Sequence, residues 1–123
     1  MKILTEILLL LVLFTTIFWS CEKEETLEPN NQVYITLKNT DDFIHDLKIS
    51  GDEEGATIKE QATHFSISKI IRNESTGWSV VYQYKPEPDF VGTDSVKIET
   101  NTGSDGSGPG NINLTEFFFQ ITD

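Results

Sequence analysis

The stretch Tyr84-Lys85-Pro86-Glu87-Pro88-Asp89-Phe90-Val91-Gly92-Thr93-Asp94-Ser95-Val96 decides the fold. Val80, Tyr82 and Tyr84 fall on one face of an extended segment. Pro86 and Pro88 each lack a backbone donor, so a hydrogen-bonded ladder must stop there. Gly92 then permits a turn into Ser95-Val96-Lys97-Ile98, a second segment of period two. Strand, rigid corner and strand in this order predict an interior corner of an all-β domain.

Working outward, Val33, Ile35 and Leu37 alternate with Tyr34, Thr36 and Lys38, the pattern of a half-buried strand. Asn39-Thr40-Asp41-Asp42 reads as a turn, after which Phe43, Leu47 and Ile49 carry the apolar positions. Gly51-Asp52-Glu53-Glu54-Gly55 turns the chain into a short segment around Ile58. Phe65, Ile67 and Ile71 share a parity, and Asn73 to Gly77 is a loop into Trp78-Ser79-Val80. The glycine-rich run 101–110 reads as a long loop, followed by a strand in which Phe117, Phe119 and Ile121 face one way and Phe118 the other. About seven short strands without helical periodicity predict a single β-sandwich over residues 33–123. The expected interior is Val33, Ile35, Leu47, Phe65, Ile67, Val80, Tyr82, Phe90, Val96, Ile98, Phe117, Phe119 and Ile121.

The corner resembles that of the cadherin-like and immunoglobulin-like repeats of bacterial surface proteins, which carry Tyr-x-Pro, a short spacer, Phe-x-Gly-x-Asp-Ser and an aromatic. Here those places are held by Tyr84, Pro86, Phe90, Gly92, Asp94 and Ser95, with Val96 where the aromatic is usual. The resemblance implies an immunoglobulin-like sandwich with these residues as its structural corner. Such folds host many functions, so architecture alone assigns none.

The N-terminal residues 1–20 form a signal-peptide layout: Lys2, an apolar run from Ile7 to Trp19, the small residue Ser20, then Cys21. That run is shorter than the about twenty residues a membrane-spanning helix needs. The arrangement resembles a bacterial lipoprotein signal of the relaxed Bacteroidota type, which implies cleavage before Cys21 and lipidation of its thiol. Residues 21–32 carry several acids and little apolar surface, so they read as a flexible tether. Lys23-Glu24-Glu25 resembles the export signal of surface lipoproteins in that group. The implied location is the outer membrane, lipid-anchored and facing the cell surface, with the periplasmic face as the alternative.

A single cysteine excludes an intramolecular disulfide. The formal charge of −11 excludes nucleic acid as a natural partner, because a phosphate backbone needs a basic patch. Asp41, Asp42, Asp46, Asp52, Glu53 and Glu54 are chemically able to ligate calcium, but no Asp-x-Asp-x-Asp-Gly loop is present, and a solvated acidic surface is the favoured reading. His45 and His64 lack metal-ligand spacing and read as surface residues, and no Gly-x-Ser-x-Gly elbow occurs. No metal, cofactor or catalytic residue is expected, and the chain reads as non-catalytic. Trp78, Tyr82 and Tyr84 have the spacing of either a sugar-stacking platform or a core strand, with the core reading favoured. Tyr34 and Phe118 oppose their neighbours' parity and are the candidate exposed aromatics. Asp94-Ser95-Val96 also resembles a bacterial O-glycosylation acceptor, which makes Ser95 a candidate attachment site. The functional expectation is a membrane-anchored binding or adhesion module. The alternatives are an accessory subunit of an envelope assembly, docking through the Phe117-Phe118-Phe119 strand, and a carbohydrate-binding module.

Overall fold

The computed structural model describes residues 28–103, 105–108 and 110–123. Seven strands follow one another: β1 (Asn31–Lys38), β2 (Phe43–Asp46), β3 (Gly55–Glu60), β4 (Phe65–Ile71), β5 (Val81–Pro86), β6 (Gly92–Thr102) and β7 (Asn111–Thr122). A single 3-10 turn, Glu74–Thr76, interrupts the connection from β4 to β5. The strands form a four-stranded sheet in the order β1-β7-β6-β3 and a three-stranded sheet in the order β2-β5-β4. This is an immunoglobulin-like β-sandwich whose first strand lies beside the last and runs parallel to it, Asn31 opposite Thr115 and Lys38 opposite Thr122.

The two sheets meet through aromatic rings. Tyr84 stacks on Phe119 with centroids 4.1 Å apart, Phe43 meets Phe119 edge-on at 5.4 Å, and Tyr82 leans on Phe117 at 5.9 Å. Val96, Ile98, Ile121 and Leu37 fill the space between these pairs. Alternation explains the selection: successive residues of a strand point to opposite faces, so Asp94, Val96 and Ile98 face inward while Thr93, Ser95 and Lys97 face out.

The corner forms as the residues dictate. β5 ends at Pro86, the Phe90 amide donates to the Glu87 carbonyl, and β6 starts at Gly92. Gly92 has φ +149°, and a Cβ there would sit 3.1 Å from the Phe90 ring, so the position requires glycine. Phe90 is half-buried, packed against the core's margin and stacked on His64 at 4.0 Å. Val33, Ile35 and Leu47 are likewise half-buried against the core.

Four expectations need correction. Phe65 is exposed and Ile67 lies outside the core, because a bulge between them resets the strand and brings Ser68 and Ile70 inward opposite Tyr84 and Tyr82. Trp78 is exposed, because β5 begins only at Val81 and a turn breaks the parity inferred from Val80 and Tyr82. β7 is not an edge strand: β1 and β6 pair with its two sides, so it offers no free ladder to a partner. The run 101–110 is partly strand, since β6 reaches Thr102 and β7 resumes at Asn111, leaving a hairpin connection between them.

Phe117→Ala, which removes a ring touched from two sides of the core, should cost about 3–5 kcal/mol. Phe90→Ala should cost less, because one face of that ring is covered only by a half-exposed imidazole. Urea denaturation of both variants checks the order; equal losses would mean that Phe90 belongs to the central core.

Candidate functional site

The sandwich has two ends, and the strand directions assign each loop to one of them. At one end lie the connections 39–42, 61–64 and 87–91 with the C-terminus; at the other lie 47–54, 72–80 and 103–110 with the start of β1.

The first end carries the sequence-predicted corner. Asp94 is only 7% exposed. Its carboxylate accepts the backbone amides of Thr63 (2.9 Å), His64 (2.8 Å) and Ser95 (2.9 Å) and the hydroxyls of Thr63 (3.1 Å) and Tyr84 (3.0 Å). Burial alone would raise its pKa, but this set of donors outweighs that and holds the carboxyl below the usual range. Tyr84 is shifted the opposite way: burial raises its phenol pKa, and the hydrogen bond to the Asp94 carboxylate raises it further. Tyr84, Pro86, Phe90, Gly92 and Asp94 are thus brought together, with the acceptor sites of Asp94 filled by the protein itself. Two of its three amide donors come from the distant β3–β4 connection.

The second end holds Trp78, the acids Asp52, Glu53 and Glu54 and the 101–110 run, all read from the sequence, but the residue that organises it, Arg72, was not singled out. Arg72 reaches out of the β4–β5 connection and donates to four carbonyls: Trp78 (2.9 Å), Glu54 (3.0 Å), Ser50 (2.8 Å) and Gly51 (2.9 Å). Glu54 in turn accepts the amides of Gly103 and Gly51, which lowers its pKa. One cation and one anion therefore lace three loops together. Asn73 caps the 3-10 turn, accepting from Ser75 and Thr76. Thr76-Gly77-Trp78-Ser79 then closes with the Ser79 amide on the Thr76 carbonyl, Gly77 at φ +60° and Trp78 at φ +62°. Two central residues at positive φ make a type I′ turn, which favours Gly or Asn; a tryptophan there is strained. Trp78 is nonetheless 61% exposed, so its indole gives little back to the core. A Gly-Trp pair after a capped turn was the sequence signal available. On the far side of the same turn, Ile44, Ile71 and Val81 line a shallow apolar groove with Asn73 and Thr76.

The outer face of the four-stranded sheet carries the third feature. Tyr34, 74% exposed, stacks on Phe118 with centroids 5.0 Å apart and planes 12° from parallel, and its hydroxyl donates to Gln32. Ser95 lies in the same row, opposite Phe118, and lines a groove with Glu60, Thr63 and Thr93. The two histidines are half-buried rather than free on the surface: His45 meets Phe117 edge-on at 5.0 Å, and His64 lies between Phe90 and Glu87. Asp41 and Asp42 sit at the opposite end from Asp52, Glu53 and Glu54, so the acids considered for calcium are divided. Among the described residues no group of three or more acidic, histidine or cysteine side chains is placed to hold a metal ion. Cys21, Lys23, Glu24 and Glu25 lie outside the described residues.

No protein-family model matches the sequence, and the search of curated proteins found no match. One solved structure is similar in fold: a cysteine protease inhibitor from Entamoeba histolytica, 18% identical, covering 77% of this chain and 88% of its own, with a TM-score of 0.41. The fold assignment stands on the strand order itself.

Trp78→Gly relieves the positive-φ strain while loosening the unfolded chain, so its stability should stay within about 1 kcal/mol of wild type. Arg72→Ala, which strips donors from four carbonyls, should cost about 2–4 kcal/mol; comparing the two melting curves tests whether Trp78 is structural. The Asp94 carboxyl is depressed in the fold, so its contribution is present above the unfolded value of about 3.9 and is lost as pH falls through the folded one. Tyr84 is raised, so its contribution is full below about pH 10 and is lost as pH rises above it. Urea midpoints measured across pH should therefore fall on both sides, and Asp94→Asn should flatten the acid side. An unchanged acid slope in that variant would show that Asp94 is not the ionised clamp.

Proposed function

We propose that this chain is a membrane-anchored, non-catalytic binding module, lipidated at Cys21, carried to the cell surface by Lys23-Glu24-Glu25 and displaying an immunoglobulin-like sandwich to a protein or glycan ligand. The observation that carries the reading is the Tyr34–Phe118 pair, a large aromatic contact left in solvent on a sheet whose other face is already packed. Aromatic rings at exposed sheet positions contribute binding at low entropic cost, because few torsions must be fixed. A glycan is the second reading. It is favoured by the polar rows that flank the pair, Gln32 with Glu116 and Thr36 with Gln120 and Thr93. The accessory-subunit alternative loses the strand through which it was expected to dock, since both sides of β7 are occupied.

The topology sets where the tether would join the fold. The chain enters the fold at the Trp78 end, where the Asn30 amide bonds to the Leu114 carbonyl. Residues 22–30 fully extended reach at most about 30 Å. In this reading the tether joins the domain at its Trp78 end and holds that end within about 30 Å of the anchor at Cys21.

The processed protein, applied to a glycan array and to cell-envelope fractions, should lose about tenfold or more of its binding on Tyr34→Ala with its circular dichroism unchanged. Binding that survives both Tyr34→Ala and Phe118→Ala would remove this face from consideration. Cys21→Ala should release the protein from the membrane fraction; retention there would overturn the anchor.

A further inference from the structure

We infer that the Trp78 end is a second interaction surface, and that it docks a cationic, arginine- or lysine-bearing segment of a partner protein. The inference rests on different residues from the Tyr34–Phe118 reading and does not depend on that face's ligand.

Trp78 is a bulky side chain held at φ +62°, where glycine or asparagine is the comfortable occupant. Its amide donates to the Asn73 carbonyl at 2.9 Å, and its carbonyl accepts from Arg72. These bonds need only the backbone and would be made equally well by glycine. The indole itself is mostly in water. A strained, exposed tryptophan on a tightly laced loop is a side chain presented outward on a rigid mount, with the ordering completed before any partner arrives.

Charge selects the partner. Asp52, Glu53, Glu74 and Asp105 lie on the three loops of this end, and among the described residues no ion pair engages them. The cations here are committed: Lys48 pairs with Asp46 at 3.1 Å, and the Arg72 guanidinium is spent on backbone carbonyls. Unpaired acids on the loops of the end that carries the exposed indole repel phosphate-bearing nucleic acid and anionic lipid headgroups. They attract a cationic side chain, for which the face of tryptophan is the strongest aromatic acceptor.

The probe is a short peptide alternating arginine and serine, titrated into the full chain and followed by calorimetry. Indole fluorescence is followed in a Trp19→Phe background, which leaves Trp78 as the only tryptophan. The expected result is saturable binding with a shift in Trp78 emission, weakened about tenfold by Trp78→Ala and weakened again by several hundred millimolar salt. Trp78→Phe should retain part of the affinity, and circular dichroism of each variant confirms the fold. The proposal is overturned by the absence of saturable binding, by equal binding of the matching glutamate-serine peptide, or by an affinity indifferent to Trp78→Ala or to salt.

Discussion

One buried carboxylate, Asp94, joins the two sheets at the corner. It sits on β6 in the four-stranded sheet, and the Tyr84 hydroxyl reaches it from β5 in the three-stranded sheet. The amides of Thr63 and His64 reach it from the segment that crosses between the sheets. A buried carboxylate left without donors would be costly, and here each of its oxygens accepts at least two of them. The corner, the crossover and the Tyr84 ring that stacks on Phe119 are thereby fixed by one group. Gly92 belongs to the same construction, because only a residue without Cβ lets Phe90 fold back over the start of β6.

The opposite end reaches the same rigidity by different means. Beside the buried Ile49 and Val80, Arg72 and Glu54 hold its loops by charge-assisted hydrogen bonds with the backbone, as rings hold the middle of the sandwich. Ser79 donating to Asp46 ties the end of β2 to the same network. That donation, first among several, holds the Asp46 pKa at about 2. The outcome is a loop cluster whose backbone is settled while its side chains, Trp78 among them, stay in solvent.

What the sequence disclosed was local. The alternation of Val96 and Ile98 with Ser95 and Lys97, the Pro86–Gly92 corner and the outward parity of Tyr34 and Phe118 all follow from period two and from proline and glycine geometry, and each is present in the fold. What it concealed depended on one-residue events or on distant partners. A bulge between Phe65 and Ile67 reversed the facing of β4, and a type I′ turn at Gly77-Trp78 detached Trp78 from the strand it was read into. The parallel pairing of β1 with β7 leaves no mark on either strand's parity, so β7 could be taken for an edge. Thr63 and His64 come some thirty residues before the carboxylate they serve, a separation that no local pattern records.

That parallel pairing has a mechanical consequence. β1 begins at one end of the sandwich and β7 finishes at the other, with eight residue pairs in register between them. A pull that lifts the start of β1 away from the C-terminus acts along the strands and loads the whole ladder in shear, so its hydrogen bonds must yield together instead of opening one after another. A tethered domain held at its N-terminal side and gripped near its C-terminus would thus meet traction along its most resistant direction.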